Sequence, residues 1–263
     1  MTTNWVVKAI IVLILFKPTT SWANDIYINQ SGDNIDMTIV QDGENNVISS
    51  VAGNTRKAPI SGNNTNTTFT QTGDNNDIGV YMSAGNGQQT VTQTGNTNYA
   101  TSDCHGNNCS TTITQYGNNN LANLEFGNGG DYDQTGTITQ DGDYNAAGIE
   151  ANGDDNTFVI DQDGDNNAVG GITGAPITGN NNSLSITQNG DYMTFEGHLI
   201  GSNNSLTSFQ GGSANNSFIR VSTVGSNNTG DLRQGKRLDG NVDNNDSGNH
   251  EQYITVVGDS NTI

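Results

Sequence analysis

One amino acid in this chain recurs at a nearly fixed interval. Gln41, Gln71, Gln93, Gln115, Gln140, Gln162, Gln188, Gln210 and Gln234 are separated by 22 residues, or by 22 plus an insertion of two to eight. Each Gln closes a phrase of one kind, written TFTQTGDNN at residues 68–76, TVTQTGNTN at 90–98, TITQYGNNN at 112–120 and TITQDGDYN at 137–145. A period in this range marks a chain built of stacked units, each too small to bury an apolar face by itself. The insertions carry turn chemistry, with Ala58-Pro59, a glycine-rich run at 127–130, and Gly174-Ala175-Pro176. Val256 stands 22 residues after Gln234 and takes the marker's place in one further copy.

Two more positions are tied to the marker. Gly follows two residues later at Gly43, Gly73, Gly95, Gly117, Gly142, Gly164, Gly190 and Gly212, and again at Gly258 after Val256. Asn follows at the fifth position at Asn46, Asn76, Asn98, Asn120, Asn145, Asn167 and Asn215, and at Asn261. The copy at Gln188 has Met193 there, and the copy at Gln234 has Lys236 and Asp239 in the two places. Before the Gln, apolar and polar residues alternate, as in Phe69 and Gln71 or Ile113 and Gln115. Period two is a strand with one buried face. The Gly permits positive φ in a tight arc, and Asn tolerates the same region. A second alternating segment follows, such as residues 78–82 or 121–126.

Each unit therefore reads strand, arc, strand, turn. Stacking such units in parallel gives an all-β solenoid with two facing parallel sheets and roughly ten rungs over residues 24–263. The marker Gln shares parity with the apolar residues and points inward. A buried amide requires partners, and the Gln of the adjacent rung supplies one, giving an amide ladder along the axis.

Composition fits this reading. Hydrophobic residues make up 31% of the chain and charged residues 13%, with 34 Gly and 3 Pro. That is apolar-poor for a close-packed enzyme of 263 residues. The first 23 residues differ: Lys8, an apolar run at 9–16, and Ser21-Trp22-Ala23 form a secretory signal peptide, too short to span a bilayer. Its removal takes Lys8 and Lys17 and leaves six bases against 27 acids, a net charge of −21. Such a chain is repelled by nucleic acid and anionic lipid. Four of those bases, Arg220, Arg233, Lys236 and Arg237, lie near the C-terminus, as a solvated face or a docking patch.

With Gln71, Gly73 and Asn76 in register, and Ala100, Ala122 and Ala147 following in later copies, the chain resembles the curlins, the subunits of bacterial curli fibres. The repeat of that family runs Ser-x5-Gln-x-Gly-x2-Asn-x-Ala-x3-Gln. Where it places its second Gln, this chain has Met82, Cys104, Phe126 and Ala151. The resemblance implies a β-solenoid, export through an outer-membrane pore, and a homopolymeric amyloid fibre in a biofilm matrix. It also implies a nucleating or major partner subunit.

The remaining signals are weaker. Cys104 and Cys109 flank one turn with inward parity on an oxidising route, which favours a disulfide; with one His nearby they are too few ligands for zinc. The acidic run at 161–167 lacks the Gly and distal Glu of an EF-hand loop and reads as a solvated arc. His105, His198 and His250 have no nucleophile spacing. The expectation is a non-enzyme without metal or cofactor. Outward Thr pairs (Thr68 and Thr70, Thr90 and Thr92, Thr112 and Thr114, Thr137 and Thr139) would form two files, which keeps open a surface-binding solenoid, adhesin or ice-binding.

Overall fold

The computed structural model describes residues 24–27, 31–49, 60–62, 64–80, 82, 85–103, 108–126, 133–170, 176–211, 217–235 and 251–263. The leader expected at 1–23, and Cys104, Gly212 and Asn215, lie outside the described residues.

Alternation sets the strands. In the phrase NTTFTQT the side chains of Thr67, Phe69 and Gln71 are buried while their neighbours face outward. Eight further copies adopt the same strand and pair in parallel into one nine-stranded sheet. Its members are β2 (Asp36–Asp42), β4 (Asn66–Thr72), β6 (Gln88–Thr94), β8 (Ser110–Tyr116), β11 (Thr135–Asp141), β13 (Thr157–Asp163), β16 (Ser183–Asn189), β19 (Ser205–Gly211) and β21 (Thr229–Gln234). Register is unbroken, with Gln41 opposite Gln71, then Gln93, Gln115, Gln140, Gln162, Gln188, Gln210 and Gln234. The insertions are absorbed outside these strands, because a slip by one residue would turn the buried set outward.

The facing wall is assembled from shorter pieces. One stretch runs β1 (Asp25–Tyr27), β3 (Val47–Ser49), β5 (Asp77–Val80), β7 (Tyr99–Ser102) and β9 (Leu121–Ala122). Single bridges from Leu121 to Ala146 and from Ala146 to Ala168 carry the wall onward. The other stretch contains β10 (Glu125–Phe126), β12 (Glu150–Asn152), β14 (Ala168–Val169), β15 (Pro176–Thr178), β17 (Thr194–Glu196), β18 (Leu199–Ile200), β20 (Phe218–Val224) and β22 (Glu251–Val257). Between the walls lies a thin apolar core. Phe69, Ile113, Ile138 and Ile160 from the Gln-bearing wall meet a layer that includes Ile78, Phe195 and Ile219 from the other, all fully buried. Phe126 and Phe158 stack across it, ring centroids 5.9 Å apart.

The chain is thus an all-β solenoid of parallel rungs. One detail departs from the sequence reading. Val256 does not extend the Gln file; it pairs with Thr223 in the facing wall, and Gly258 and Asn261 belong to a second column of arcs at the opposite corner. Both corners use Gly-x-x-Asn, so spacing alone does not say which wall a copy belongs to.

Candidate functional site

The Gln side chains meet one another inside the solenoid. Gln41 Nε2 donates to Gln71 Oε1 at 2.8 Å, and the same bond repeats through Gln93, Gln115, Gln140, Gln162, Gln188, Gln210 and Gln234 at 2.8 to 3.2 Å. From Gln71 onward the second N–H of each amide crosses to a carbonyl of the facing wall: Gln71 to Val47, Gln140 to Leu121, Gln210 to Thr194. Each interior Gln thus satisfies both donors and one acceptor site while fully buried. All the bonds run the same way, donor toward the C-terminal rung. The file is polar.

A second file runs beside it. The Oδ1 of the buried Asn at the fifth position accepts from the backbone N–H of the next Asn: Asn76 N–H donates to Asn46, Asn98 to Asn76, Asn120 to Asn98, Asn145 to Asn120 and Asn167 to Asn145, at 2.9 to 3.0 Å. Its Nδ2 donates to the arc glycine carbonyl one rung on, as from Asn76 to Gly95 O at 2.8 Å. Asn24 begins the file, accepting from Asn46 N at 2.9 Å, and Met193 ends it, its N–H donating to Asn167 Oδ1. These Asn residues do not supply the arc's left-handed conformation. That falls one place earlier, at Asn45, Asn75, Thr97, Asn119, Tyr144, Asn166 and Tyr192, with φ of 55° to 60°. Sequence reasoning missed the file, although its signal was the one that revealed the Gln: a fixed amide at one register position.

The arcs stack as closely. Gly43, Gly73, Gly95, Gly117, Gly142, Gly164 and Gly190 have φ between 101° and 138°, and a Cβ on all but the last would strike the glycine carbonyl of the next rung. Between Gly and Asn, side-chain oxygens accept backbone N–H groups of the preceding rung, from Asn118 N to Asp143 Oδ1, Asp143 N to Asp165 Oδ1 and Asp165 N to Asp191 Oδ1. At the opposite corner a further Asn column, Asn156, Asn182, Asn204, Asn228 and Asn261, repeats the pattern, among the described residues in the C-terminal rungs only.

Among the described residues the facing wall carries no Gln file. Where the curlin pattern has its second Gln, the pairing aligns Phe126, Ala151, Ile177, Leu199, Thr223 and Val256. Met82 is buried as well. One side of each rung is tied by amides and the other by apolar contact.

The outer face holds the remaining candidates. Thr68, Thr90, Thr112 and Thr137 align in one column, Thr70, Thr92, Thr114 and Thr139 in the next, and the second column meets Asp161 at β13. Asp161 thus lies on a strand rather than in an arc. Burial raises its pKa, and the Asp163 and Asp141 carboxylates add to the shift. Arg220 pairs with Glu196 at 3.0 Å and Arg233 with Asp231 at 2.8 Å, so two of the C-terminal bases already have acidic partners. Cys109 is buried and disulfide-bonded. Among the described residues no His, Cys, Asp and Glu group could hold a metal ion, and no helix is long and apolar enough to cross a membrane.

No curated protein matches the chain. Residues 133–164 match the family model of the curlin associated repeat. That segment holds β11, the arc at Gly142, the ladder residues Gln140, Asn145 and Gln162, and β13. The chain thus carries a curlin associated repeat over these residues.

Proposed function

We propose that this protein is a structural subunit that assembles with copies of itself into extracellular fibres by strand templating. The observation that carries this reading is that the Gln file runs from the first strand of its wall, β2, to the last, β21, and that the walls end in strands paired along one side only. Among the described residues β2 pairs only with β4, and β22 only with β20. An open parallel edge with its amide file in place is a template for another rung. Assembly would extend a structure already present rather than create one.

The leader at 1–23 would direct the chain to the periplasm, and an outer-membrane pore would export it; a nucleating or major partner subunit would start the fibre. The net charge of −21 on the mature chain and the stacked Asp of the arcs would delay association until export. Fibres of this kind serve biofilm cohesion and surface adhesion, without catalysis.

Purified residues 24–263 should show a lag that preformed seeds abolish, with fibre diffraction near 4.7 and 10 Å, about the cross-β spacings. Protein that stays soluble for days at raised salt would overturn the reading. The aligned Thr columns favour one rival, a monomeric solenoid that binds a surface such as ice. Thermal hysteresis from a solution that forms no fibres would select it.

A further inference from the structure

The two ends of the Gln file are complementary and both incomplete. At the N-terminal end, Gln41 is 5% exposed and its Oε1 has no partner. A buried carbonyl left unmatched is costly, and such atoms call for an explanation. At the C-terminal end, Gln234 Nε2 gives one N–H to Phe218 O at 2.9 Å and has no second acceptor among the described residues. One end lacks a donor and the other holds a spare one. No copy can satisfy itself, because seven strands lie between the two. A second copy, stacked head to tail, can. Head-to-head contact would oppose two acceptors, and tail-to-tail two donors.

For Gln234 to reach Gln41 of the next copy, β2 of that copy must pair directly with β21. The chain path then lays its β3 against β22 of the first copy. In the isolated molecule that side of β3 is taken by β1, with Asp25, Ile26 and Tyr27 opposite Val47, Ile48 and Ser49. Asp25 and Glu251 lie in one column of the wall, so β1 and β22 compete for one place. Their sequences are alike: Asp25-Ile26-Tyr27 and Gly32-Asp33 match Glu251-Gln252-Tyr253 and Gly258-Asp259 at the same spacing. The chain carries the same half rung at both ends, while a continuous joint has room for one.

The geometry points to a joint between copies in which the N-terminal half rung, residues 24–35, is ejected and replaced by β22 and the arc of the preceding copy. This rests on the self-assembly reading. The N-terminal half rung is the one to leave because, among the described residues, β1 holds the wall by three register pairs, whereas β22 holds β20 by seven. Thr262 and Ile263, bridged at Thr229, yield their places to Asp36 and Met37 of the incoming β2. Residues 24–35 are therefore a placeholder: they cover the N-terminal edge of a lone subunit, and their departure opens it.

Two experiments test this on the full mature chain. Val40 and Arg233 occupy one outward column. In the exchanged joint a Val40→Cys copy and an Arg233→Cys copy lie about 4.8 Å apart, one strand spacing. That is within disulfide reach, which ends near a Cα separation of about 7 Å. With both half rungs retained they are two spacings apart, about 9.6 Å, and cannot be bridged. Oxidised mixed fibres should give a mixed dimer on a non-reducing gel, and fibres of either variant alone should not. No mixed dimer, or dimers from a single variant, would overturn the joint. Second, Ile26 and Ile254 are half-buried members of the two competing half rungs. Ile26→Asp, which loosens the placeholder, should shorten the unseeded lag about tenfold, equivalent to about 1.4 kcal/mol, whereas Ile254→Asp should lengthen it. An unchanged or longer lag for Ile26→Asp would refute the placeholder role. Wild-type protein that forms no fibres at all would instead refute the assembly reading.

Discussion

The two walls of this solenoid solve one stacking problem by different means. The Gln-bearing wall is nine strands of near-uniform length in unbroken register, while the facing wall, among the described residues, is interrupted between β9 and β10 and between β17 and β18. Both walls bury apolar residues, so apolarity is not what separates them. The difference is the amide. A Gln displaced from its file leaves a donor unmatched on one neighbour and an acceptor unmatched on the other, whereas Ile177 or Leu199 shifted within the core still finds apolar surface. Register is enforced where slippage is expensive, and irregularity collects where it is cheap.

The largest way to break the comparison is at the arc that joins the walls. Gly142 has φ of 116°, and a Cβ there would overlap Gly164 O of the next rung. Gly142→Ala should cost about 3 kcal/mol or more, from backbone strain and the forced separation of rungs. Gly79, on β5 of the facing wall, would place a Cβ no closer than 4.0 Å to Ala100 O. Gly79→Ala should change stability by less than about 0.5 kcal/mol. Urea midpoints for the two variants measure the contrast, and equal losses would mean that stacking closeness is not what fixes the glycine.

Next comes the file itself. Gln140→Leu removes the acceptor of Gln115, the donor to Gln162 and the donor to Leu121 O, and should cost about 2 to 3 kcal/mol. The converse experiment tests whether an amide file could regularise the other wall. Ile177→Gln alone buries an amide without a neighbour and should destabilise by about 1 to 3 kcal/mol. Ala151→Gln, Ile177→Gln and Leu199→Gln together should cost less than the sum of the three single changes, because each supplies the others' partner. Strict additivity would remove the ladder from the explanation.

The Gln file could be read from the sequence because its logic is local: inward parity plus a fixed amide leaves one solution. Asn76 obeys the same logic, but Asn is also at home in turns, so the sequence points it to the arc's conformation; that conformation belongs to Asn75. The facing wall was less legible for a physical reason. Its inward residues, such as Ala100, Phe126 and Ile177, are chosen by volume, and volume leaves no periodic signature. Gly136 shows this, since Phe126 and Leu124 fill the space its side chain would take. Val256 was misplaced because a copy displaced by half a rung keeps the Gly and Asn spacing and lacks only the Gln.

A smaller effect of opposite sign should appear where polar residues face the wall that has no amides. Gln89 is 1% exposed, and neither atom of its amide has a partner. Thr67, directly opposite it in the pairing, has an equally unmatched hydroxyl. Removing an unsatisfied buried polar group is favourable when the replacement fills its space. Gln89→Leu should therefore stabilise the protein by about 1 kcal/mol, and Thr67→Val by a similar or smaller amount. A loss in either variant, measured by thermal unfolding, would show that the groups are matched in solution.

The smallest effect lies on the outer face of the regular wall, where Asp161 interrupts a column between Thr139 and Thr187. Its partial burial, and then the carboxylates of Asp163 and Asp141, raise its pKa above 3.8. Between 3.8 and that raised value the folded state binds more protons than the unfolded one, so stability falls as pH rises through the window. Above it, the folded protein bears the full cost of the charged group. Asp161→Asn should accordingly raise the urea midpoint at neutral pH, and the gain should shrink as pH falls, disappearing below about 3.8, where both states are protonated. A gain that did not vary with pH would assign the effect to packing. The regularity of this wall thus comes from its inner amides: its outer face tolerates a charge that opposes folding.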